Sequence, residues 1–563
     1  MNQNQTKNTY IGITIGPIYD TIRQSSTPAA LWASSYIFSH SAKRICEKIS
    51  KKIEGGEKAI VSPFFESSNP LLSKDDGIGL FHDRVIFETH NPGEDLKTVK
   101  SVLVEVKDEI AKLFGQDHES WFQKYLQFHA VVFDAKNPLL DSSKYLDAIE
   151  LRKGFPETER QNPLISVLDA DNNNQLIRDF IKKGLNLPDW PLSMGYDEYR
   201  NKQPDMEFIV GKEAEIKRHP QKPEKSYSYY AIVQSDGDKI GDYIKECEDP
   251  KTFSKKCLEF CSKAATAIQD YGGVTIYAGG DDLLFIAPLW ERPNETRDVR
   301  RNILQLIRDL QKTFKNSFEE KKPSTPETEE SPAPETEEST ILETEESPTP
   351  ETKKPPTLSF GVAIRYYKFP LYEAFDKTYE LLFHEAKVNR DACAISLRKH
   401  SGQSAEFVIE NLSKKTSMSS LISIIENSKQ DVILNSVQST LWKFRKLLSI
   451  AIGKALNTGE TLFIENIFDN IFDSEIHDKY SSRIDQARDL LIEMIDTHVK
   501  ENGRESKKDV PEIDVPEEYS SKKDGPKIEN EEDNKVIKFI YALDAQLRFV
   551  RFFSETGMEE RDA

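Results

Sequence analysis

Between two apolar runs, Val274-Thr-Ile-Tyr-Ala278 and Leu283-Leu-Phe-Ile-Ala287, the chain carries Gly279-Gly280-Asp281-Asp282. Two strand-forming runs joined by so short a polar segment predict a tight β-hairpin, because Gly279 and Gly280 tolerate the positive φ such turns need. Ile276, Leu284 and Ile286 are expected to form its half-buried face. The tip then holds two adjacent carboxylates with no basic residue between them. They repel one another until a divalent cation bridges them, and Mg²⁺ is the common partner of carboxylates and phosphates. A polar hairpin tip without chemistry satisfies the tetrapeptide equally well, since Gly and Asp favour turns on conformational grounds alone.

A second stretch separates these readings. Tyr229-Tyr-Ala-Ile-Val-Gln-Ser-Asp-Gly-Asp-Lys-Ile-Gly241 is an apolar strand that ends in Asp236 and Asp238 and passes into a helical pattern. Between it and the hairpin, Phe253, Cys257, Cys261, Ala264 and Ile268 fall on one helical face. In a palm, the ferredoxin-like βαββαβ domain, the first strand lies beside the central hairpin, so Asp236 is expected to meet Asp281 and Asp282. Those three acids, with the carbonyl of Gly237, are expected to hold two Mg²⁺ (or Mn²⁺) ions and to be the catalytic set, orienting a 3′-hydroxyl against the α-phosphate of ATP. Lys239 and the amides from Gly237 through Asp238 to Gly241 are expected to receive the triphosphate.

Ser235-Asp-Gly-Asp-Lys-Ile-Gly241 and Tyr277-Ala-Gly-Gly-Asp-Asp-Leu283, followed by Leu358-Ser-Phe-Gly-Val-Ala-Ile364 and Glu385-Ala-Lys387, resemble the cyclase palm of the large subunit of type III CRISPR effector complexes. Ile15-Gly-Pro-Ile-Tyr-Asp-Thr-Ile-Arg-Gln24 and Leu31-Trp-Ala-Ser-Ser-Tyr-Ile-Phe-Ser39 resemble the opening of the first, non-catalytic palm of Cmr-type members. The resemblance implies an α+β chain with two ferredoxin-like palms, a helical connector and a C-terminal helical domain. It also implies a nucleotidyltransferase that, once target RNA is captured, converts ATP to a cyclic oligoadenylate or joins AMP to S-adenosylmethionine. Gly279, Gly280, Ser359 and Lys387 join the nucleotide-binding set by the same resemblance, and the implied partners are other complex subunits, guide RNA and target RNA. Two alternatives stay open: a catalytically silent scaffold of the ribonucleoprotein, and a stand-alone diguanylate cyclase. The turn lacks the Glu-Phe that completes the latter family's motif, and no Arg-x-x-Asp precedes Gly279.

The expected domains are 1–165 (first palm, without Gly-Gly-Asp-Asp and therefore structural), 166–222 (connector), 223–400 (catalytic palm, interrupted by an insert at 319–356) and 401–563 (helical from Ser404 on, interrupted at 501–534). A late strand of the first palm is expected within Trp121–Phe133, and one helix is expected over Ser436–Leu456. The insert repeats Pro-Glu-Thr-Glu-Glu-Ser at Pro326 and Pro334, and residues 319–354 hold 12 Glu against 4 Lys. Such a repeat cannot bury enough apolar surface to order itself, so a flexible surface loop is expected. Residues 501–534 carry a net charge of −6. Outside these two segments little remains of the formal −19, so overall acidity does not exclude an RNA-binding surface. Lys443, Arg445 and Lys446 are candidates for one, or simply a solvated helix face.

Five cysteines form no Cys-x-x-Cys pair. Cys257 and Cys261 are expected as core thiols, and no zinc is expected, although many relatives carry it between their palms. Without a signal peptide or an apolar run near 18 residues, a cytoplasmic protein without membrane contact is expected. Many relatives begin with an HD nuclease domain. Here the first strand begins at Tyr10, and His82-Asp83 and His477-Asp478 are expected as surface pairs, so no DNase activity is expected.

Overall fold

The computed structural model describes residues 7–25, 28–73, 78–113, 119–151, 229–247, 249–291, 300–319, 355–414, 417–427, 432–472, 481–502 and 531–556. The connector at 166–222, the acidic repeats, His477-Asp478 and most of 501–534 lie outside the described residues.

Two βαββαβ units account for the sheets. In the first, β1 (Asn8–Gly16), β2 (Ile60–Ser62), β3 (Arg84–Glu88) and β4 (Gln127–Ala135) are ordered β2-β3-β1-β4, with the long helices Pro28–Lys52 and Pro92–Leu113 as crossovers. The second repeats this order with β5 (Tyr229–Asp238), β6 (Val274–Gly279), β7 (Asp282–Pro288) and β8 (Thr357–Tyr366), and its crossover helices are Pro250–Tyr271 and Ile303–Phe318. Both are ferredoxin-like. Placing the first strand beside the third brings the end of β5 against the start of β7, with Ser235 paired to Leu283.

The second sheet does not stop at β8. β9 (Cys393–Arg398) adds parallel to β8, and β10 (Ser404–Ile409) adds antiparallel to β9. The helical region therefore begins after Ile409 rather than at Ser404. Ala405, Phe407 and Ile409 are buried on alternate positions while Glu406 is exposed, a period of two over too few residues to separate from a short helical turn by pattern alone. Two other boundaries move. Trp121 to Tyr125 form a helix (Glu119–Tyr125) that ends before β4, and the helix expected over Ser436–Leu456 breaks at Phe444 into Val432–Lys443 and Arg445–Thr458. The break gives the basic residues local partners: Arg445 stacks over Trp442 at 5.0 Å and Lys443 lies over Phe444 at 5.3 Å.

The hairpin strands are buried on both faces. Leu283, Phe285 and Ala287 are as inaccessible as Leu284 and Ile286, contrary to a half-buried hairpin. The reason is that a second unit covers the sheet. Helix Pro28–Lys52 of the first palm packs on β6, and helix Pro250–Tyr271 of the second packs on β2 as well as on β6 and β7. Equivalent helices thus reach equivalent strands, so the two palms face one another with approximate two-fold reciprocity.

One glycine on β8 shows how close this packing is. A Cβ added at Gly361 would lie 2.3 Å from the Thr378 carbonyl oxygen and 2.7 Å from the Leu382 amide nitrogen, both backbone atoms. Gly361→Ala is therefore expected to cost about 2–3 kcal/mol in urea unfolding, since backbone cannot rotate away as a side chain can. An unchanged midpoint would show that the helical segment Leu371–Ala386 is not held against β8 as described.

Candidate active site

Asp236, Asp281 and Asp282 converge at the mouth of the second sheet. Each offers a carboxylate oxygen, and these oxygens all lie within 4.8 Å of one another. The local chain explains the approach. Near the end of β5, Asp236 lies opposite Ser359 of β8, while Gly279 pairs with Asp282 across the hairpin. Gly237 leaves room for the turn: a Cβ there would stand 2.5 Å from Asp281 Oδ2. Of the two hairpin glycines only Gly280 takes positive φ (70°). Gly279 is required for space instead, since its Cβ would meet the Tyr277 hydroxyl at 2.7 Å. A register shift between Thr275 and Tyr277, a bulge of the kind that re-aims side chains, brings that ring over the turn.

Crowding sets the protonation of the acids. Burial pushes the Asp281 carboxyl up to about 6, and the nearby Asp236 charge pushes in the same direction. Asp282 is raised further by burial, by the charges of Asp236 and Asp281, and by a hydrogen bond shared with Asp236. Carboxylates crowded in this way have the chemistry of a hard-cation site, and the space kept by Gly237 preserves it. The donor set fits Mg²⁺ or Mn²⁺.

Lys387 supplies the opposing charge. Its ammonium pairs with the Asp236 carboxylate and donates to the Asp236 carbonyl (2.9 Å), the Gly237 carbonyl (2.6 Å) and Asp238 Oδ1 (3.1 Å). The Gly237 carbonyl, expected as a metal ligand, accepts from Lys387, and Lys387, expected on the nucleotide, has its donors engaged by the protein. Asp238, expected in the nucleotide-binding set, faces protein partners here. It is buried, accepts from Ser359 Oγ (2.9 Å), Thr357 Oγ1 (2.9 Å) and the Asp391 amide (2.8 Å), and so anchors β5 to β8 and to the turn before β9. Ser359, expected in the same set, is fully buried, and its hydroxyl donates to Asp238. Alternation places Asp236 and Asp238 on the same side of the strand, but only the partners on β8 and β9 separate an open acid from a closed one.

Lys239 stands exposed at positive φ (56°) immediately before the short helix Ile240–Glu246, and Gly241 lies in that helix near Leu140. Three residues that the sequence did not assign to the site also touch it. Cys261 donates its thiol hydrogen to the Gly280 carbonyl at 3.3 Å, and burial raises that thiol well above its ordinary value. Asp391 holds the turn before β9 by accepting from the Ser413 amide and hydroxyl and from Gln311. His82 arrives from the first palm. Its ring lies beside Gly280, its Nδ1 accepts from the Arg84 amide, and its Nε2 meets the Ser62 hydroxyl at 2.9 Å.

His82-Asp83 is therefore not a surface pair. Burial lowers His82 to about 4 and raises Asp83 to about 6, because the Gly79–Asp83 segment is wedged between the palms. The Ala278 amide donates to the Gly79 carbonyl at 3.1 Å, tying this segment to β6. Among the described residues no helix is long and apolar enough to cross a membrane.

Comparisons with known proteins agree with this architecture. A family profile described as Cas10/Cmr2, second palm domain, matches residues 229–333, and another, CRISPR-associated protein Cmr2, N-terminal, matches residues 10–115. The CRISPR system Cmr subunit Cmr2 of Pyrococcus furiosus is 27% identical over 205 residues, which span 31% of this chain and 19% of that relative. The chain thus matches about a fifth of the relative's length. Among solved structures, the type III-B Cmr-beta complex in its apo state aligns at TM-score 0.47 and 12% identity, over 80% of this chain and 76% of that one. The Csm1-Csm4 cassette in complex with cA4 aligns at 0.46 and 13%, over 88% and 70%. With one profile on each sheet, in the order N-terminal domain then second palm, the chain resembles Cmr-type Cas10/Cmr2 large subunits over residues 10–115 and 229–333.

Proposed function

We propose that this chain is the nucleotide-synthesising subunit of a type III CRISPR ribonucleoprotein, using ATP to make a small signalling nucleotide when target RNA is bound. The product is a cyclic oligoadenylate or AMP joined to S-adenosylmethionine. The observation that carries the reading is the meeting of Asp236, Asp281 and Asp282 within 4.8 Å at a glycine-cleared turn.

Asp236, Asp281 and Asp282 would hold Mg²⁺, which when bound activates a 3′-hydroxyl and offsets charge on the α-phosphate and the departing pyrophosphate. The chain's own contribution is positioning. Lys387 and Asp238 lock the end of β5, Cys261 and His82 brace the Gly280 turn, and exposed Lys239 offers a cation to the polyphosphate. A scaffold has no physical need for acids whose mutual repulsion must be borne at one point, which weighs against the silent reading.

The test is to incubate the assembled complex with ATP and Mg²⁺, with and without S-adenosylmethionine and matching RNA, and to identify products by mass spectrometry. RNA-dependent release of pyrophosphate with a new adenylate product is expected. Recovery of intact ATP from every arm would leave the chain a scaffold.

A further inference from the structure

The two sheets align residue by residue through their own pairing. β4 begins at Gln127 opposite Gly16, just as β8 begins at Thr357 opposite Asp238. Two positions earlier on each first strand, Thr14 faces His129 where Asp236 faces Ser359. The other neighbour gives the same alignment: Ile13 pairs with Val85, the second residue of β3, and Ser235 with Leu283, the second residue of β7. Thr14, Asp83 and Arg84 of the first palm therefore correspond to Asp236, Asp281 and Asp282 of the second.

The charges at these positions are inverted. A hydroxyl stands for Asp236 and a guanidinium for Asp282. The segment covering the sheet is inverted as well. After β8 the chain folds back and brings Lys387 to Asp236, whereas after β4 it folds back as helix Ser143–Glu150, packs on β1 and β4, and brings Glu150. One Glu150 oxygen accepts from the Thr14 hydroxyl. The other accepts from Arg84 Nη2 at 3.0 Å, and that same Nη2 pairs with Asp147. A single cationic nitrogen thus bridges two carboxylates one helical turn apart, and both remain partly open to solvent. Asp83, the buried acid beside it, is repelled by Glu150 and attracted by Arg84. Without a cation at that point these acids would repel one another, as those of the second palm do.

We infer that Arg84 is the resident cation of a closed metal site in the first palm: its guanidinium bridges Asp147 and Glu150 in the place of a hard divalent ion, and removing it opens the site to one. This rests on the hard-cation reading of Asp236, Asp281 and Asp282 and extends it to the other palm. A guanidinium is always charged and cannot dissociate, so it holds helix Ser143–Glu150 on the first sheet at any metal concentration. Only the second palm then gains and loses an ion. With the guanidinium gone, two carboxylates and the Thr14 hydroxyl are oxygen donors of the kind Mg²⁺ and Mn²⁺ take, with water completing the shell.

The test is to titrate the full-length chain with Mn²⁺ and count bound ions from the electron paramagnetic resonance signal of the free ion. Arg84→Ser is expected to bind about one Mn²⁺ more than the unsubstituted chain, and adding Glu150→Gln to it should remove that gain. Arg84→Lys, which puts a cation back, should show no gain. Saturating Mn²⁺ should also raise the melting temperature of Arg84→Ser by about 2–4 °C more than that of the unsubstituted chain, since an ion bound only by the folded state stabilises it. A merely structural arginine would not leave a metal dependence behind. A variant that unfolds without metal and refolds with Mn²⁺ gives the same answer, and one that Mn²⁺ neither binds nor refolds overturns the inference. So does a gain that survives Glu150→Gln. The second palm is read separately, through the ion lost from the unsubstituted chain on Asp281→Ala with Asp282→Ala. If that ion is present but Arg84→Ser gains none, the inference alone fails. If Arg84→Ser gains an ion but the unsubstituted chain has none to lose, only the reading of the second palm fails.

Discussion

Replacing Asp281 and Asp282 together by alanine is expected to abolish nucleotide synthesis by the assembled complex, a loss of at least about a thousandfold, or about 4 kcal/mol of transition-state stabilisation. Hard cations are held by carboxylate oxygens, and with these two gone only Asp236 of the cluster remains, already paired with Lys387. The hairpin itself should survive, because Leu283, Phe285 and Ile286 bury it independently of the acids. Complex assembly and RNA binding are the controls that should not change. The folded state holds Asp281 near 6 against an ordinary 3.8, so the unligated protein keeps protons that the unfolded chain releases. By linkage its stability falls as pH rises from about 4 through about 6, and the penalty is complete above that. The alanine variant escapes the penalty. It should melt higher than the unsubstituted chain at pH 8 without metal, with the difference closing toward pH 4, and added Mg²⁺ should raise only the unsubstituted chain. Normal product yield from the variant would remove these acids from the active site.

Asp238→Ala is expected to act through the fold instead, costing about 3–5 kcal/mol. Its carboxylate is 3% exposed and accepts from Ser359, Thr357, the Asp391 amide and Lys387. Removing it strands those donors where water cannot replace it. Asp238→Asn keeps the shape and some of the acceptor capacity, so it should lose markedly less. Chemical denaturation of the two variants beside the unsubstituted chain measures this directly. If Asp238→Ala unfolds like the unsubstituted chain yet binds triphosphate poorly, Asp238 touches the ligand after all and its assignment as an anchor is wrong.

Asp236 and Asp238, two residues apart on one strand, the first in the acid cluster and the second an anchor, show where sequence stops being sufficient. The palm was legible because its signals are local. Apolar runs at period two, a helical face through Phe253, Cys257 and Cys261, and a Gly-Gly-Asp-Asp turn each specify an element from neighbours alone. The ferredoxin order then brings β5 beside β7, so the meeting of Asp236 with Asp281 and Asp282 follows from local pattern and one topological rule. β10 escaped for the complementary reason: six residues fit either period, and pairing to β9 decided the matter.

What each polar group faces depends on residues far away in the chain. Asp238 is closed off by Thr357, Ser359 and Asp391, more than a hundred positions later, and Lys387 turns inward because Asp236 and Asp238 together draw its charge. His82 leaves the surface only because the first palm lies against the hairpin of the second. Sequence by itself determined which elements form and where the acids gather, since hydrophobic period and turn chemistry act over a few residues. Only the tertiary structure decided which acid stays open and which cation is consumed by the protein, because burial and charge pairing are set by whatever the fold brings within a few ångströms.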